Sequence, residues 1–135
     1  MNMFGLHPQL RNDTHRIGSL ALCEVLLMDN ALFPWVILVP RVADIREITE
    51  LKPSQQHLLR DEIARVSEGM QRFFEADKMN VAALGNQVSQ LHVHVIARKT
   101  TDAAWPNPVW GKGRAHYHPF KRDKRLRELR EALGL

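Results

Sequence analysis

The chain has 135 residues, and 44% of them are hydrophobic. That is enough for one hydrophobic core and too few for two, so we predict a single domain over residues 1–135. The formal net charge is +4, and much of the basic excess lies in one late stretch, KRDKRLRELR. No aromatic residues alternate with these charges, as base-stacking surfaces require, so we do not expect nucleic acid as a partner.

The single cysteine and the hydropathy pattern bear on the compartment. Cys23 is the only cysteine, so no intrachain disulfide can form and nothing suggests an oxidising environment. No stretch approaches the roughly 20 apolar residues that span a bilayer, and the start of the chain lacks the pattern of a secretory signal. We therefore expect no membrane partner and a cytoplasmic location.

Two strands are predicted in the first third of the chain. Residues 19–28, SLALCEVLLM, are apolar and lie between Gly18 and Asp29, which suits a buried strand. The next apolar run, WVILV, is β-branched and is followed by Pro40. Only a short linker separates the two runs, which favours an antiparallel pair.

From Pro53 the hydrophobic period becomes helical. Pro53 suits a first turn, where its missing N–H costs little, and the helix is predicted to end near residues 76–78. The apolar residues that share one stripe of this helix are Leu59, Ile63, Val66, Met70 and Phe73.

The second half of the chain predicts two more strands and a short helix. MNVAAL and LHVHVIA are predicted strands, and the polar run GNQVSQ between them is predicted to be a loop. Residues 101–119 hold three of the seven prolines and are predicted to be irregular. A basic C-terminal helix is predicted over about 119–134. The element order indicates an α+β domain with an antiparallel sheet and a helix packed on one face.

The stretch QLHVHVIAR holds the candidate functional residues. In a strand, Gln90, His92 and His94 share one side, while the leucine and valines between them share the other. One interpretation is an ordinary half-buried strand with its polar side in water. The other is chemistry, because same-side imidazoles about 7 Å apart at the backbone are close enough to act on one substrate or one metal ion.

Two kinds of chemistry fit a histidine pair. Imidazole is partly unprotonated at neutral pH and attacks phosphorus well, giving a phospho-histidine. Alternatively, the pair is half of a zinc site, which His116 and His118 in RAHYHP would complete. The simpler interpretation of His116 and His118 is a solvated segment.

Three segments together resemble the histidine triad (HIT) family in a bacterial-type variant. NVAALGNQVSQLHVHVIAR resembles the family's signature, FPWVILVPR resembles its apolar strand ending in proline and a basic residue, and the helix from Pro53 takes the place of its long helix. The resemblance covers roughly residues 15–110. It implies an α+β, HIT-like fold: an antiparallel sheet of about five strands with one long helix and a short C-terminal helix.

The same resemblance implies a hydrolase without a cofactor or a resident metal. Such proteins are usually homodimers that cleave nucleotidyl phosphoramidates or dinucleoside polyphosphates through a transient nucleotidyl-histidine, so a purine nucleotide or its conjugate is the implied partner. By match to the motif, His92 takes the place of the nucleophile and His94 that of the histidine that contacts the phosphate.

Further site residues follow from the same match. Asn80, Gly85 and Asn86 resemble the family's residues near the phosphate. Asp29 resembles the acidic residue that holds the ribose hydroxyls.

The chain departs from the family pattern at position 90, where the family usually has its first histidine and this chain has Gln90. Glutamine both donates and accepts hydrogen bonds but does not titrate, so Gln90 is expected to orient a neighbour and not to act as acid or base. We expect the chemistry to be retained because His92 is retained. The alternatives are a nucleotide-binding protein with little turnover and a metal-dependent hydrolase that uses the histidine pair.

Aromatic and basic residues around the motif complete the expectations. A strand position where many relatives have a histidine is Trp35 here. Trp105 and Trp110 are expected to close over the base pocket, to pack at a dimer interface or to pack on the sheet. Arg98, at the end of the motif strand, is expected to point to solvent.

Overall fold

The computed structural model describes residues 3–135, so the first two residues of the predicted domain lie outside the described residues. Within residues 3–135 there are three α-helices and five strands, with a short 3₁₀ turn at Ile48–Glu50. In chain order the elements are α1 Pro8–Asp13, β1 Thr14–Ser19, β2 Cys23–Met28, β3 Trp35–Pro40, α2 Pro53–Phe74, β4 Lys78–Ala82, β5 Val93–Arg98 and α3 Pro119–Leu133. None of the helices in this range is long and apolar enough to cross a bilayer.

The five strands form one sheet in the order β1-β2-β3-β5-β4, and every neighbouring pair is antiparallel. This confirms the predicted α+β fold with a five-stranded antiparallel sheet. The strand that carries the histidine motif, β5, lies between β3 and β4, so both of its edges are hydrogen-bonded.

Both faces of the sheet are covered. On one face α2 packs against β5, whose alternate residues Val93, Val95 and Ala97 lie in the main apolar core, and α3 packs against α2 and β1. On the other face a smaller apolar cluster includes Ile37 and Ile96 from the sheet, with further residues from the loops and the N-terminal segment. The half-buried strand considered for the motif is therefore wrong, because every residue of β5 is buried.

The first strand prediction was too long. Residues 19–28 do not form one strand, since Ser19 ends β1 and Cys23 begins β2, with a turn between them. Leu20 and Leu22 lie in that turn and are buried in the core. Their hydrophobicity made a turn resemble a strand. Neither β1 nor the six-residue α1 was predicted, because these short segments carry few apolar residues.

The long helix ends earlier than predicted, and part of its stripe differs. It ends at Phe74, since Glu75 adopts a left-handed conformation with φ of 50° and its N–H caps the helix through Arg72 O. Phe73, assigned to the buried stripe, is 37% exposed.

Glu62 takes a buried position on α2 that the hydrophobic pattern did not indicate. Its carboxylate accepts hydrogen bonds from the backbone N–H groups of Leu22 at 2.8 Å and Cys23 at 2.9 Å. These donors lie where the β1–β2 turn runs into β2, Leu22 being the last residue of the turn and Cys23 the first of the strand. Glu62 therefore ties the β1–β2 turn to the long helix.

Replacing Glu62 with alanine is expected to lower the free energy of unfolding by about 2–4 kcal/mol, because two buried backbone donors lose their acceptors. Urea denaturation of both proteins measures the change. Glu68→Ala, at an exposed position of the same helix, is the matched control and should change stability by less than about 0.5 kcal/mol. Equal losses in the two variants would contradict the assigned role.

Candidate active site

The two motif histidines lie side by side on the face of the sheet opposite α2 and α3. His94 is the second residue of β5, whereas His92 lies in the extended segment just before the strand. Their ring centroids are 4.9 Å apart, and their exposed fractions are only 7% and 4%. Buried imidazoles require hydrogen-bond partners, and those partners determine which nitrogen carries a proton.

A backbone carbonyl fixes the tautomer of His92. Its Nδ1 lies 2.7 Å from the carbonyl oxygen of Gln90. A carbonyl only accepts hydrogen bonds, so in the neutral ring the proton is on Nδ1 and the lone pair is on Nε2. His92 therefore holds Nε2 ready as a nucleophile.

A tryptophan fixes the opposite tautomer of His94. The indole N–H of Trp35 donates to Nδ1 of His94 over 3.0 Å. An indole N–H only donates, so Nδ1 must hold the lone pair and the proton of the neutral ring is on Nε2. His94 thus offers an N–H donor at its Nε2, whereas His92 offers a lone pair at its own Nε2.

The environment also keeps His94 uncharged. Burial, followed by the electrostatic interaction with the neighbouring His92, lowers the pKa of His94 from 6.5 to about 4. At neutral pH His94 is therefore a neutral hydrogen-bond donor, not an imidazolium acid.

Trp110, from the irregular segment after β5, covers this histidine. Its ring centroid lies 5.0 Å from that of His94 and 5.6 Å from that of Trp35, both edge-on. One side of Trp110 remains accessible, since the residue is 37% exposed. Trp110 thus closes over the site, whereas Trp105 stacks on Arg98, with 5.5 Å between the guanidinium carbon and the ring centroid.

Cavities lie on both sides of the histidine pair. One of about 230 Å³ is lined by His92 together with Arg46, Gly85 and Ser89, among others. A second, of about 170 Å³, is lined by residues that include Trp35 and Trp110. The nucleophile and the aromatic pair therefore each face a cavity of their own.

The family follows from direct comparison. The model of the HIT domain matches residues 9–101, more than half of the chain. The chain belongs to the histidine triad family.

Solved structures agree with this assignment. A histidine triad protein from Marinobacter aquaeolei is 51% identical, with 98% of each chain covered and a TM-score of 0.96. A histidine triad protein from Bradyrhizobium japonicum is 44% identical over 98% of this chain and 99% of its own, with a TM-score of 0.94. A hypothetical histidine triad nucleotide-binding protein from Sulfolobus tokodaii is 15% identical, over 90% of this chain and 84% of its own, and shares the fold at a TM-score of 0.71. No curated protein matches.

Gln90, which the motif match aligns with the family's first histidine, directs its side chain to the N-terminal segment. Its amide nitrogen donates to Gly5 O at 2.8 Å, and its amide oxygen accepts from the His7 N–H at 2.9 Å. The side-chain amide has no recorded hydrogen bond to either imidazole. The backbone carbonyl of Gln90 is the group that orients His92.

The predicted phosphate residues lie at different distances from the histidine pair. Gly85, with φ of 68°, lines the cavity that contains His92. Asn86 follows it in the same loop and is exposed. The side-chain oxygen of Asn80 accepts a hydrogen bond from Arg98 at 2.8 Å, so it is already engaged within the protein.

Asp29, predicted to hold a ribose, also has protein partners. Its carboxylate accepts from the Tyr117 N–H at 2.9 Å and contacts His116 Nδ1 at 2.6 Å and His15 Nε2 at 3.3 Å. Burial acts to raise the pKa of Asp29, but these hydrogen bonds outweigh it and lower the pKa to about 2. Asp29 thus fastens the segment that carries His116, which is not simply solvated.

The expectation that Arg98 points to solvent is wrong. Arg98 is 1% exposed, and its guanidinium forms a two-point ion pair with Asp102 at 2.7 and 3.0 Å. It also donates to Asn107 O at 2.9 Å and stacks near Phe33 and Trp105. Arg98 therefore organises the loop that leads to Trp110.

The geometry does not complete a zinc site from the motif histidines. In the part of the chain that the structure describes, no three histidine, cysteine, aspartate or glutamate side chains are grouped so as to hold a metal ion. His116 is engaged with Asp29, as described above. The predicted four-histidine site is thus not assembled within residues 3–135.

Trp35 is the residue whose role the sequence prediction missed. The sequence alone indicates only that Trp35 stands at a strand position where many relatives have a histidine. The strand register contains the missing signal. Trp35 pairs with Ile96, and Ile96 lies two residues after His94 on the same face of β5, so Trp35 and His94 share that face. A correct pairing of β3 with β5 would have brought the indole to the imidazole.

The low pKa of His94 predicts a pH dependence of stability. The unfolded chain takes up a proton at His94 near pH 6.5, and the folded chain does so only near pH 4. The stability contribution is therefore full above about pH 6.5 and is lost as the pH falls towards 4, by roughly 3 kcal/mol at 1.36 kcal/mol per pKa unit.

Urea denaturation between pH 4 and 7 measures this change. In His94→Asn the amide oxygen replaces Nδ1 as the acceptor for Trp35 but does not titrate, so its stability should depend less on pH. His57→Asn, at an exposed helix position, is the control. Identical pH slopes for wild type and His94→Asn would refute the shift.

Proposed function

We propose that this histidine triad protein is a nucleotidyl hydrolase that cleaves nucleotidyl phosphoramidates or dinucleoside polyphosphates through a transient nucleotidyl-His92. The observation that carries the proposal is the pair of opposite tautomers, with a lone pair on Nε2 of His92 and an N–H on Nε2 of His94. Phosphoryl transfer by this route uses a nucleophile and a hydrogen-bond donor to the phosphoryl oxygens, and the two imidazoles supply both side by side.

The first step is attack by His92. Nε2 of His92 forms a bond to the nucleotide's α-phosphorus while the bond from phosphorus to the leaving group breaks. The leaving nitrogen of a phosphoramidate takes up a proton from solvent and departs as the amine, whereas the remaining nucleotide of a dinucleoside polyphosphate departs as its phosphate anion. The ring becomes an imidazolium, and its Nδ1–H remains hydrogen-bonded to Gln90 O, whose partial negative charge stabilises it.

The second step is hydrolysis. Water attacks the phosphorus, the P–Nε2 bond breaks with its electron pair returning to His92, and the nucleoside monophosphate leaves as water gives up a proton. In both steps Nε2–H of His94 donates to a phosphoryl oxygen, where negative charge builds up. The low pKa of His94 suits this role, since a neutral ring donates at every pH above about 4.

The surroundings support a nucleotide as the substrate. The cavity beside Trp35 and Trp110 offers aromatic surface for a base. The histidine triad protein from Sulfolobus tokodaii is described as nucleotide-binding. In this proposal Gly85 and Asn86 donate to the phosphate from the loop beside His92.

The remaining assignments in the proposal concern residues that act through other parts of the protein. The side chains of Asn80 and Asp29 are already engaged within the protein. Asn80 therefore takes part through its hydrogen bond with Arg98, and Asp29 through the segment at His116. The proposed assembly is a homodimer in the cytoplasm. Val81 and Leu84, each 47% exposed at the β4 edge of the sheet, provide apolar surface for a second copy.

The deciding experiment measures release of AMP from adenosine 5′-phosphoramidate and from diadenosine polyphosphates. His92→Ala is expected to lower the rate by at least about 1,000-fold, because it deletes the nucleophile. It should still bind AMP, measured by calorimetry. His57→Ala, distant in sequence and exposed on α2, is the control and should retain full activity.

Two other outcomes separate the alternatives. Activity that falls to background when a chelator is added would replace the proposal with a metal-dependent hydrolase. AMP binding without release from any substrate would replace it with a nucleotide-binding protein of little turnover. The proposal stands if release requires His92 and ignores the chelator.

A further inference from the structure

The amide of Gln90 makes a matched pair of hydrogen bonds with the N-terminal segment, defined here as residues 4–10. It donates to Gly5 O and accepts from the His7 N–H, at 2.8 and 2.9 Å. These two backbone groups belong to residues two apart, as on one edge of a strand, and the planar amide meets both at once. The orientation of the amide is fixed by its partners, because the opposite one would set donor against donor and oxygen against oxygen.

A histidine at position 90 would not make this pair of contacts. A neutral imidazole has its donor and its acceptor on opposite sides of the ring, whereas the amide of glutamine presents them side by side. With glutamine in place of histidine, position 90 has no titrating side chain and instead holds the backbone of the N-terminal segment through the hydrogen bonds of its amide. We call this pair of hydrogen bonds the clamp. The same residue orients the nucleophile through its own carbonyl, which accepts from His92 Nδ1.

Apolar contacts hold the clamped segment on the sheet as well. Leu10 is 4% exposed and belongs to the apolar cluster on the histidine face, and Phe4 and Leu6 pack against that cluster. Pro8 begins α1 directly after His7, whose side-chain Nδ1 accepts from the Gln9 N–H. The segment is thus seated along its length and not only at Gln90.

The clamped segment closes a groove that starts at the nucleophile. The cavity of about 230 Å³ beside His92 shares Arg46 and Ser89 with a neighbouring cavity of about 280 Å³. His7 and Gln90 line the second cavity. A group that extends from the reacting phosphorus past Ser89 and Arg46 therefore meets the N-terminal segment at the far end.

We propose that Gln90 is a specificity-determining positioning residue: it clamps residues 5–7 as a wall across the leaving-group groove, so that the site favours compact leaving groups over a second nucleotide. This inference rests on the proposed hydrolase function for its kinetic consequence. The clamp itself does not depend on that function.

The kinetic test compares two substrates that differ in the leaving group. In Gln90→Ala, the ratio of kcat/KM for diadenosine tetraphosphate to kcat/KM for adenosine 5′-phosphoramidate should rise at least about tenfold over wild type, a change of about 1.4 kcal/mol in relative transition-state binding. Gln90→His should give the same change, although it restores the triad histidine. Gln87→Ala, an exposed glutamine in the same loop, is the matched control and should leave the ratio unchanged.

Hydrogen exchange followed by NMR tests the clamp separately. The His7 amide should exchange at least about tenfold faster in Gln90→Ala than in wild type, because it loses its acceptor. Gln90→Glu retains an acceptor for His7 but no donor for Gly5, and should fall between the two. Unchanged exchange at His7 in Gln90→Ala would overturn the clamp.

The outcomes distinguish a failure of the proposed wall from a failure of the proposed hydrolase function. Faster exchange at His7 with an unchanged substrate ratio would overturn the wall. If wild type cleaves neither substrate, the proposed function fails and the wall is judged by calorimetry. Gln90→Ala should then bind diadenosine tetraphosphate at least about tenfold more tightly relative to AMP than wild type does, and an equal ratio of Kd values would overturn the wall.

Discussion

Burial of two imidazoles in one sheet is the constraint on which the site depends. A ring nitrogen removed from water requires a partner, and the nature of that partner decides where the proton resides. His92 has a carbonyl as its partner and His94 has an indole N–H. The two rings are therefore held in opposite tautomers before any substrate arrives. In the proposed mechanism this is electrostatic preorganisation achieved with neutral groups, and it has no cost in reorganisation at the moment of reaction.

The covering of the histidine face depends on groups far from the chemistry. Arg98, completely buried at the end of β5, binds Asp102 and Asn107 and so shapes the loop that carries Trp110 onto His94. The hydrogen bonds from Arg98 are the first cause of the low pKa of Asp102, about 2. A buried arginine left without these partners would be strongly destabilising, so the loop and the guanidinium require each other.

Particular residues show how far the sequence prediction extended. The alternation of His92 and His94 with apolar residues predicted a strand and a joint site, and the rings indeed lie 4.9 Å apart. The prediction for Arg98 was wrong because a charge at the end of a strand is normally solvated. In this protein the loop after β5 buries the guanidinium and supplies its partners. The turn at Leu20 and Leu22 was misread because its side chains are buried, while its backbone depends on Glu62 from a distant helix.

The sequence by itself determined the order of the elements from β2 to α3, the family and the pair of histidines, because strand and helix periods and short motifs are local properties of the chain. Only the tertiary structure decided the protonation of those histidines and the surroundings of Gln90. The partner of His94 comes from β3, 59 residues earlier in the chain, and the partners of the Gln90 side chain lie 83 and 85 residues away. Hydrogen bonds between residues so far apart depend on how the strands and the N-terminal segment pack together, which no local pattern specifies.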